Sequence, residues 1–268
     1  MTLAQTVLEF AALARTKTVS LRENPAGFWV SSMMAGAYVG IGILLIFSVG
    51  QNVDPSIRNL AMGCSFGIAL TLVVFAGSEL FTGYAMYMTH GALARVTTIR
   101  DLARCWSVTW LGNLTGCIAL GFLFVAGGGG HVLGQDDALL HAVAVKKMTA
   151  PAGELIARAM LCNWLVCLAL WMSQRTQSDA AKCIFIFWCL FAFIASGFEH
   201  SVANMTIFSV ALLSDHPDTV TIAGAAWNLL WVTIGNVLSG AGIMGLGYWI
   251  AAGRPRSETS ANHETPAN

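Results

Sequence analysis

Ser196-Gly197-Phe198-Glu199-His200-Ser201 interrupts an apolar run over residues 183–214. Gly77-Ser78-Glu79-Leu80-Phe81-Thr82 interrupts the run 59–94 in the same way, its glutamate 120 positions before Glu199. Uninterrupted apolar runs surround these two. They cover 27–50, 105–127, 155 or 159 to 174, and 219–253, close to or above the ~20 residues that a helix needs to cross a bilayer. A glycine followed by a carboxylate inside such a run marks a helix that breaks at mid-membrane. A charge placed there costs about 2.5–3.5 kcal/mol on insertion scales, so it must be paired internally or serve a purpose. Of the 14 acidic residues, Glu79 and Glu199 are the two set deep in apolar sequence.

The spacing extends beyond the breaks. Gly112-Asn113-Leu114-Thr115-Gly116 follows the first, and Gly235-Asn236-Val237-Leu238-Ser239-Gly240 lies 123 positions further on. Spans 1–3 and 4–6 therefore read as two copies of one three-helix unit. Three crossings per copy make the copies inverted with respect to each other. Broken helices at matching positions in inverted repeats point to a substrate path. The predicted architecture is an all-α membrane protein with six transmembrane helices, helices 2 and 5 broken at mid-membrane. Residues 1–26 form an amphipathic helix, with Leu3, Val7, Phe10, Leu13 and Ala14 at helical spacing; residues 27–252 form the membrane domain. Residues 253–268 form a polar, disordered tail. The stretch 127–154 reads as a long loop.

Composition agrees. The chain has 268 residues, 56% hydrophobic and only 10% charged, with 14 basic and 14 acidic residues. Soluble domains carry about 25% charge, which excludes an ordinary soluble globule. Zero net charge without a basic stripe argues against a nucleic-acid partner. The 7 cysteines include no C-x-x-C pair and read as small packing residues; neither a metal nor a cofactor is expected. With six spans both termini share one face. Ten of the fourteen basic residues fall there, against Arg58, Lys146, Lys147 and Arg158 on the other. Positive charge marks the cytoplasm, so both termini are expected to be cytoplasmic.

The chemistry concentrates at the breaks. A break frees backbone N–H groups, and the two glutamates are expected to cap them. His200 both donates and accepts, and is expected to line the path. Thr82 brings a hydroxyl to the other break. A half-helix starting at mid-membrane directs its positive end inward, and two such ends favour an anion over a cation. Phe66, Leu70, Leu80, Phe81 and Phe193 are candidates for an apolar constriction on either side of His200. Two rival readings remain: a membrane enzyme built on Glu79, Glu199 and His200, and a channel for water or neutral solutes.

These motifs carry a resemblance. Gly77-Ser78-Glu79-Leu80-Phe81-Thr82-Gly83 and Ala195-Ser196-Gly197-Phe198-Glu199-His200-Ser201-Val202-Ala203-Asn204-Met205 resemble those of the formate/nitrite transporter family. Cys162-Asn163-Trp164-Leu165-Val166-Cys167 and the stretch from Asn228-Leu229 to Gly235-Asn236 support it. Gly27-Phe28-Trp29-Val30-Ser31-Ser32 and Trp110-Leu111-Gly112-Asn113 look most like its bacterial nitrite channels. The resemblance implies an aquaporin-like protomer, a homopentamer with one pore per subunit, and a bacterial inner membrane. It implies passage of nitrite first and formate-like anions second; donation from His200 to the anion would make transport pH-dependent or proton-linked. By motif, His200 matches the central pore histidine and Thr82 the threonine that contacts it. Asn163 and Lys147, the latter next to Lys146, match positions near the pore. Glu199 and Asn204 belong to the histidine motif.

Overall fold

The computed structural model describes residues 1–134 and 139–256. The described residues are almost entirely helical. The first half comprises α1 (Leu3–Glu23), α2 (Pro25–Gln51), α3 (Arg58–Ser65), α4 (Gly67–Ala76), α5 (Phe81–Leu93) and α6 (Ile99–Ala126). After the short α7 (Gly130–Leu133) come α8 (Leu139–Met148), α9 (Ala152–Gln174), α10 (Asp179–Ala195) and α11 (Ser201–Leu213). The last helix runs as α12 (Ile222–Val237), a π-helical stretch Leu238–Gly247 and α13 (Tyr248–Ala251). Among the described residues, five helical stretches are long and apolar enough to cross a membrane: Pro25–Gln51, Arg58–Ala76, Ile99–Ala126, Ala152–Gln174 and Ile222–Ala251. Ser201–Leu213 is a shorter apolar helix.

Local chemistry sets the boundaries. Thr98 and Asp101 form a reciprocal capping box at the start of α6. Asn24 caps α2 through the Gly27 amide, and Pro25 occupies the first turn, where its missing N–H goes unnoticed. At the two breaks α4 and α10 end against Gly77 (φ +71°) and Gly197 (φ +69°), a left-handed conformation that a side chain disfavours.

The two halves pack alike. α2 lies on α6 and α9 lies on α12. The helices cross so tightly that a Cβ at Gly116 would overlap the Met33 carbonyl. Small residues let backbones approach where lipid supplies no hydrophobic drive. α1 lies against α5, burying Val7, Phe10 and Ala14, while Leu3 stays exposed. Phe10 stacks on Tyr87 at 5.2 Å and on Trp171 at 5.6 Å.

The expected loop over 127–154 is corrected: it contains α7 and α8. Leu140, Ala144 and Met148 recur every fourth residue and form the buried face of α8. Gln135, Asp136, Asp137 and Ala138 of that stretch lie outside the described residues, as does 257–268, most of the expected tail. Cys105, Cys117, Cys162, Cys167 and Cys189 are buried, whereas Cys64 and Cys183 are exposed.

Candidate functional site: a narrow chamber between two vestibules

Three cavities lie in series through the helical bundle. A vestibule of about 240 Å³ opens beside α1, lined by residues including Lys17, Glu79 and Tyr84. A larger one, about 400 Å³, opens beside α8 and is lined by Lys147, Glu199, His200 and Asn204 among others. Between them lies a chamber of about 10 Å³, walled by Val39, Phe66, Ala69, Leu70, Leu80, Val166, Leu190, Phe193 and His200. Leu70 and Leu80 line both the chamber and the α1-side vestibule. Phe193 and His200 line both the chamber and the α8-side vestibule. About 10–15 Å³ is the least that admits one water, so this waist is nearly dry.

The breaks build the chamber. Leu80 is the N-cap of α5 and His200 the N-cap of α11, so two helix N-termini meet the waist from opposite halves. Their positive ends face the same small space. His200 Nδ1 accepts a 3.1 Å hydrogen bond from the Ala203 amide. Only a bare nitrogen accepts, so the neutral ring carries its single proton on Nε2. Nε2 lies 3.1 Å from Thr82 Oγ1, which is therefore the acceptor of that N–H. The ring also stacks on Phe193, centroids 6.0 Å apart, and Phe193 meets Phe66 edge-on at 5.4 Å.

The expectation that the glutamates cap the breaks is corrected. Asparagines do it. Asn113 Oδ1 accepts from the Phe81 amide at 2.9 Å, and Asn113 Nδ2 donates to Ser32 O at 2.7 Å and Glu79 O at 2.8 Å. Asn236 repeats the pattern: Oδ1 accepts from the Ser201 amide at 2.9 Å, and Nδ2 donates to Ala159 O at 2.9 Å and Glu199 O at 3.1 Å. An amide donates and accepts at once, whereas a carboxylate only accepts, so asparagine alone can hold both sides of a break.

That frees each glutamate for a cation. Lys17 donates to Glu79 at 2.7 Å, and Tyr84 donates to its other oxygen at 2.7 Å. Lys147 donates to Glu199 at 2.8 Å, and Asn204 Nδ2 donates to the same oxygen at 2.6 Å. Tyr84 and Asn204 are 120 positions apart, as the glutamates are. Asn228 completes the second cluster, accepting from Asn204 at 2.8 Å and donating to Lys147 O at 2.9 Å. The two carboxylates thus lie in different vestibules and do not converge on His200, which removes the geometry a two-glutamate enzyme needs. Lys17, Tyr84, Asn113 and Asn236 were not singled out as site residues from sequence. For Asn113 and Asn236 the signal in the sequence is their matched spacing, 123 positions apart.

The remaining candidates divide. Phe66, Leu70, Leu80, Phe193, Glu199, Asn204, Lys147 and His200 line the chamber or the α8-side vestibule. Thr82 is fully buried and holds the imidazole from behind. Asn163 is buried too; its Nδ2 donates to Asn236 O at 2.7 Å and Thr82 O at 3.3 Å, a strut joining α9, α5 and α12. Phe81 turns away, into a side groove with Trp106 and Trp110. Outside the spans, His141 Nε2 meets Ser214 Oγ at 2.9 Å and fastens α8 to the end of α11. Partial burial, then His216, holds the His141 pKa below the usual histidine value, so the ring is neutral at pH 7.

Comparison with known proteins places these features in context. The family model described as "Formate/nitrite transporter" matches residues 5–250. The nitrite transporter NirC of Escherichia coli (strain K12) is 54% identical over 247 residues, 91% of each chain. A solved structure described as an FNT family ion channel superposes with TM-score 0.90 at 53% identity, covering 92% of this chain and 98% of its own. A pentameric formate channel with formate bound superposes with TM-score 0.71 at 26% identity, covering 84% and 96%.

Proposed function

Because the chain belongs to the formate/nitrite transporter family, we propose that it conducts small monovalent anions, nitrite first and formate-like anions second, through the three cavities of each protomer. Its family and close relatives are transporters and channels, not enzymes. The observation that carries the reading is the nearly dry waist, where His200 offers an N–H beside two helix N-termini. An anion entering it loses most of its water. The two helix ends offer up to about 1–2 kcal/mol each in a partly buried setting. A hydrogen bond to a charged group adds about 1.5–3 kcal/mol. Together these are comparable with the cost of about 2.5–3.5 kcal/mol for a charge at mid-bilayer. Cations gain from neither.

The transport cycle follows from the geometry. The anion enters either vestibule past a lysine–glutamate pair, Lys17–Glu79 or Lys147–Glu199. It sheds water at Leu70 and Leu80, or at Phe193, and then accepts the Nε2–H of His200. That N–H swings from Thr82 Oγ1 to the anion with little ring movement. The Ala203 amide occupies Nδ1, which makes the ring a hydrogen-bond donor that keeps its proton. A proton accompanying nitrite is then carried by the anion, and uptake rises as the medium is acidified. The same reading places six spans in two inverted repeats over residues 27–252, with residues 1–26 and 253–268 cytoplasmic. It places five protomers around one axis in a bacterial inner membrane. The matched asparagine, lysine and glutamate contacts of the two halves support the repeat, and the pentameric formate channel supports the assembly.

Purified protein in proteoliposomes tests this. Nitrite and formate uptake is measured at two pH values beside a neutral solute. Expected are saturable anion uptake, with nitrite faster than formate, and a higher rate at the lower pH. Passage of water or a neutral solute without anion flux would support the rival channel and overturn the proposal.

A further inference from the structure

The two vestibules differ in charge. Three charged side chains line the one beside α1: Lys17, Glu79 and Lys182. Both lysines are engaged, Lys17 with Glu79 at 2.7 Å and Lys182 with Asp179 at 2.9 Å. The vestibule beside α8 is lined by Arg58, Lys146, Lys147, Arg158 and Glu199. Here Lys147 engages Glu199 at 2.8 Å and Arg158 engages Glu154 at 2.6 Å.

Arg58 is held differently. Its Nε donates to Gly50 O at 3.0 Å and Nη2 donates to Val53 O at 3.4 Å. Gly50 is in the last turn of α2 and Val53 lies just beyond its C-cap, Asn52. Among the described residues it forms no ion pair with a carboxylate. Asp54, nearby in sequence, is taken by the Ser56 amide at 2.9 Å and hydroxyl at 2.6 Å. Two neutral carbonyls therefore fix the guanidinium, and the exposed Asp54 carboxylate, whose hydrogen bonds go to Ser56, acts on its charge only through space. Of its five N–H donors, these bonds use two. A flat, fixed guanidinium with donors to spare matches the two oxygens of a small planar oxyanion.

We propose that Arg58 is a capture site for the permeating anion in the α8-side vestibule, making that mouth the better collector. The inference rests on the anion-channel reading and adds a fixed cation that, with Lys146 in the same vestibule, makes the two mouths unequal. The ligand class is the small planar oxyanion, carboxylate or nitrite.

The test uses the full-length protein in oriented proteoliposomes. Initial nitrite uptake is measured against nitrite concentration from each face, in low and in 1 M salt. Arg58→Gln is expected to raise the half-saturation concentration on the α8 face by about threefold at low salt, as loss of one unit charge several ångströms away implies. The limiting rate moves less, and the α1 face changes less than the α8 face. In 1 M salt, where screening acts over about 3 Å, the difference shrinks toward none. Arg58→Lys, which keeps the charge but loses the clasp and the planar fork, recovers only the part of the loss that charge accounts for. The proposal is overturned by an unchanged Arg58→Gln, by equal effects on both faces, or by Arg58→Lys as impaired as Arg58→Gln. The last outcome would mean the clasp serves the fold. Absence of nitrite flux in the unmodified protein would overturn both this and the channel reading, which separates the two failures.

Discussion

Replacing His200 with alanine lowers nitrite uptake by about 10- to 100-fold, the worth of one hydrogen bond to a charged group in a site that offers little else. The chamber walls are otherwise alkyl and aromatic. Without Nε2–H, the anion crosses the narrowest point with helix ends alone to replace its water. The substitution also strips α11 of its cap, because Nδ1 no longer accepts from the Ala203 amide. His200→Asn separates the two effects. Asparagine is a favoured N-cap and brings its own N–H donors, so it keeps α11 intact. Expected is partial uptake in His200→Asn and near loss in His200→Ala, with both eluting as the same oligomer. Uptake by His200→Ala within about twofold of the unmodified protein would contradict a role worth 1.5–3 kcal/mol.

The largest stability effect falls on a residue that touches no cavity. Asn236→Leu removes three hydrogen bonds at once: the Ser201 amide loses its acceptor, and the Ala159 and Glu199 carbonyls lose their donor. Each buried group left unpaired costs about 1–3 kcal/mol, so the total is about 3–5 kcal/mol after some relaxation. In detergent this lowers the thermal midpoint by about 10 °C. Amide exchange should speed up first at the start of α11, where the Ser201 amide is released. Asn113→Leu does the same to α5 through the Phe81 amide. An unchanged midpoint together with protected α11 amides would show that the breaks are held by something else.

The two substitutions mark where the sequence is informative. The breaks were legible because they combine two local signals: a glycine forced to positive φ, and a carboxylate where a charge is expensive. Their common spacing exposed the pairing of the two halves. The partners of the breaks were not legible. Asn113 closes a break 34 positions away and Lys17 reaches 62 positions to Glu79. No local pattern announces such long-range contacts. The glutamates were therefore assigned the capping that the asparagines perform. Leu80 and Phe81 show a finer limit. They are adjacent and both apolar, yet Leu80 lines the chamber and Phe81 the side groove. Which side chain faces the path depends on the phase at which α5 restarts after the break. That phase is fixed by the Asn113 bond to the Phe81 amide, and not by hydrophobicity. The helix α8 is the opposite case. Its Leu140, Ala144 and Met148 spacing was readable and was masked by the glycine-rich approach to it.

Nitrogen NMR of histidine-labelled protein in bilayers, with His200 assigned by difference against His200→Asn, interrogates the waist directly. The account predicts a neutral ring at pH 7 with a bare Nδ1 and a protonated Nε2, and a nitrite titration that moves Nε2 far more than Nδ1. A ring protonated on both nitrogens, a proton on Nδ1 alone, or an Nε2 signal indifferent to saturating nitrite would contradict it.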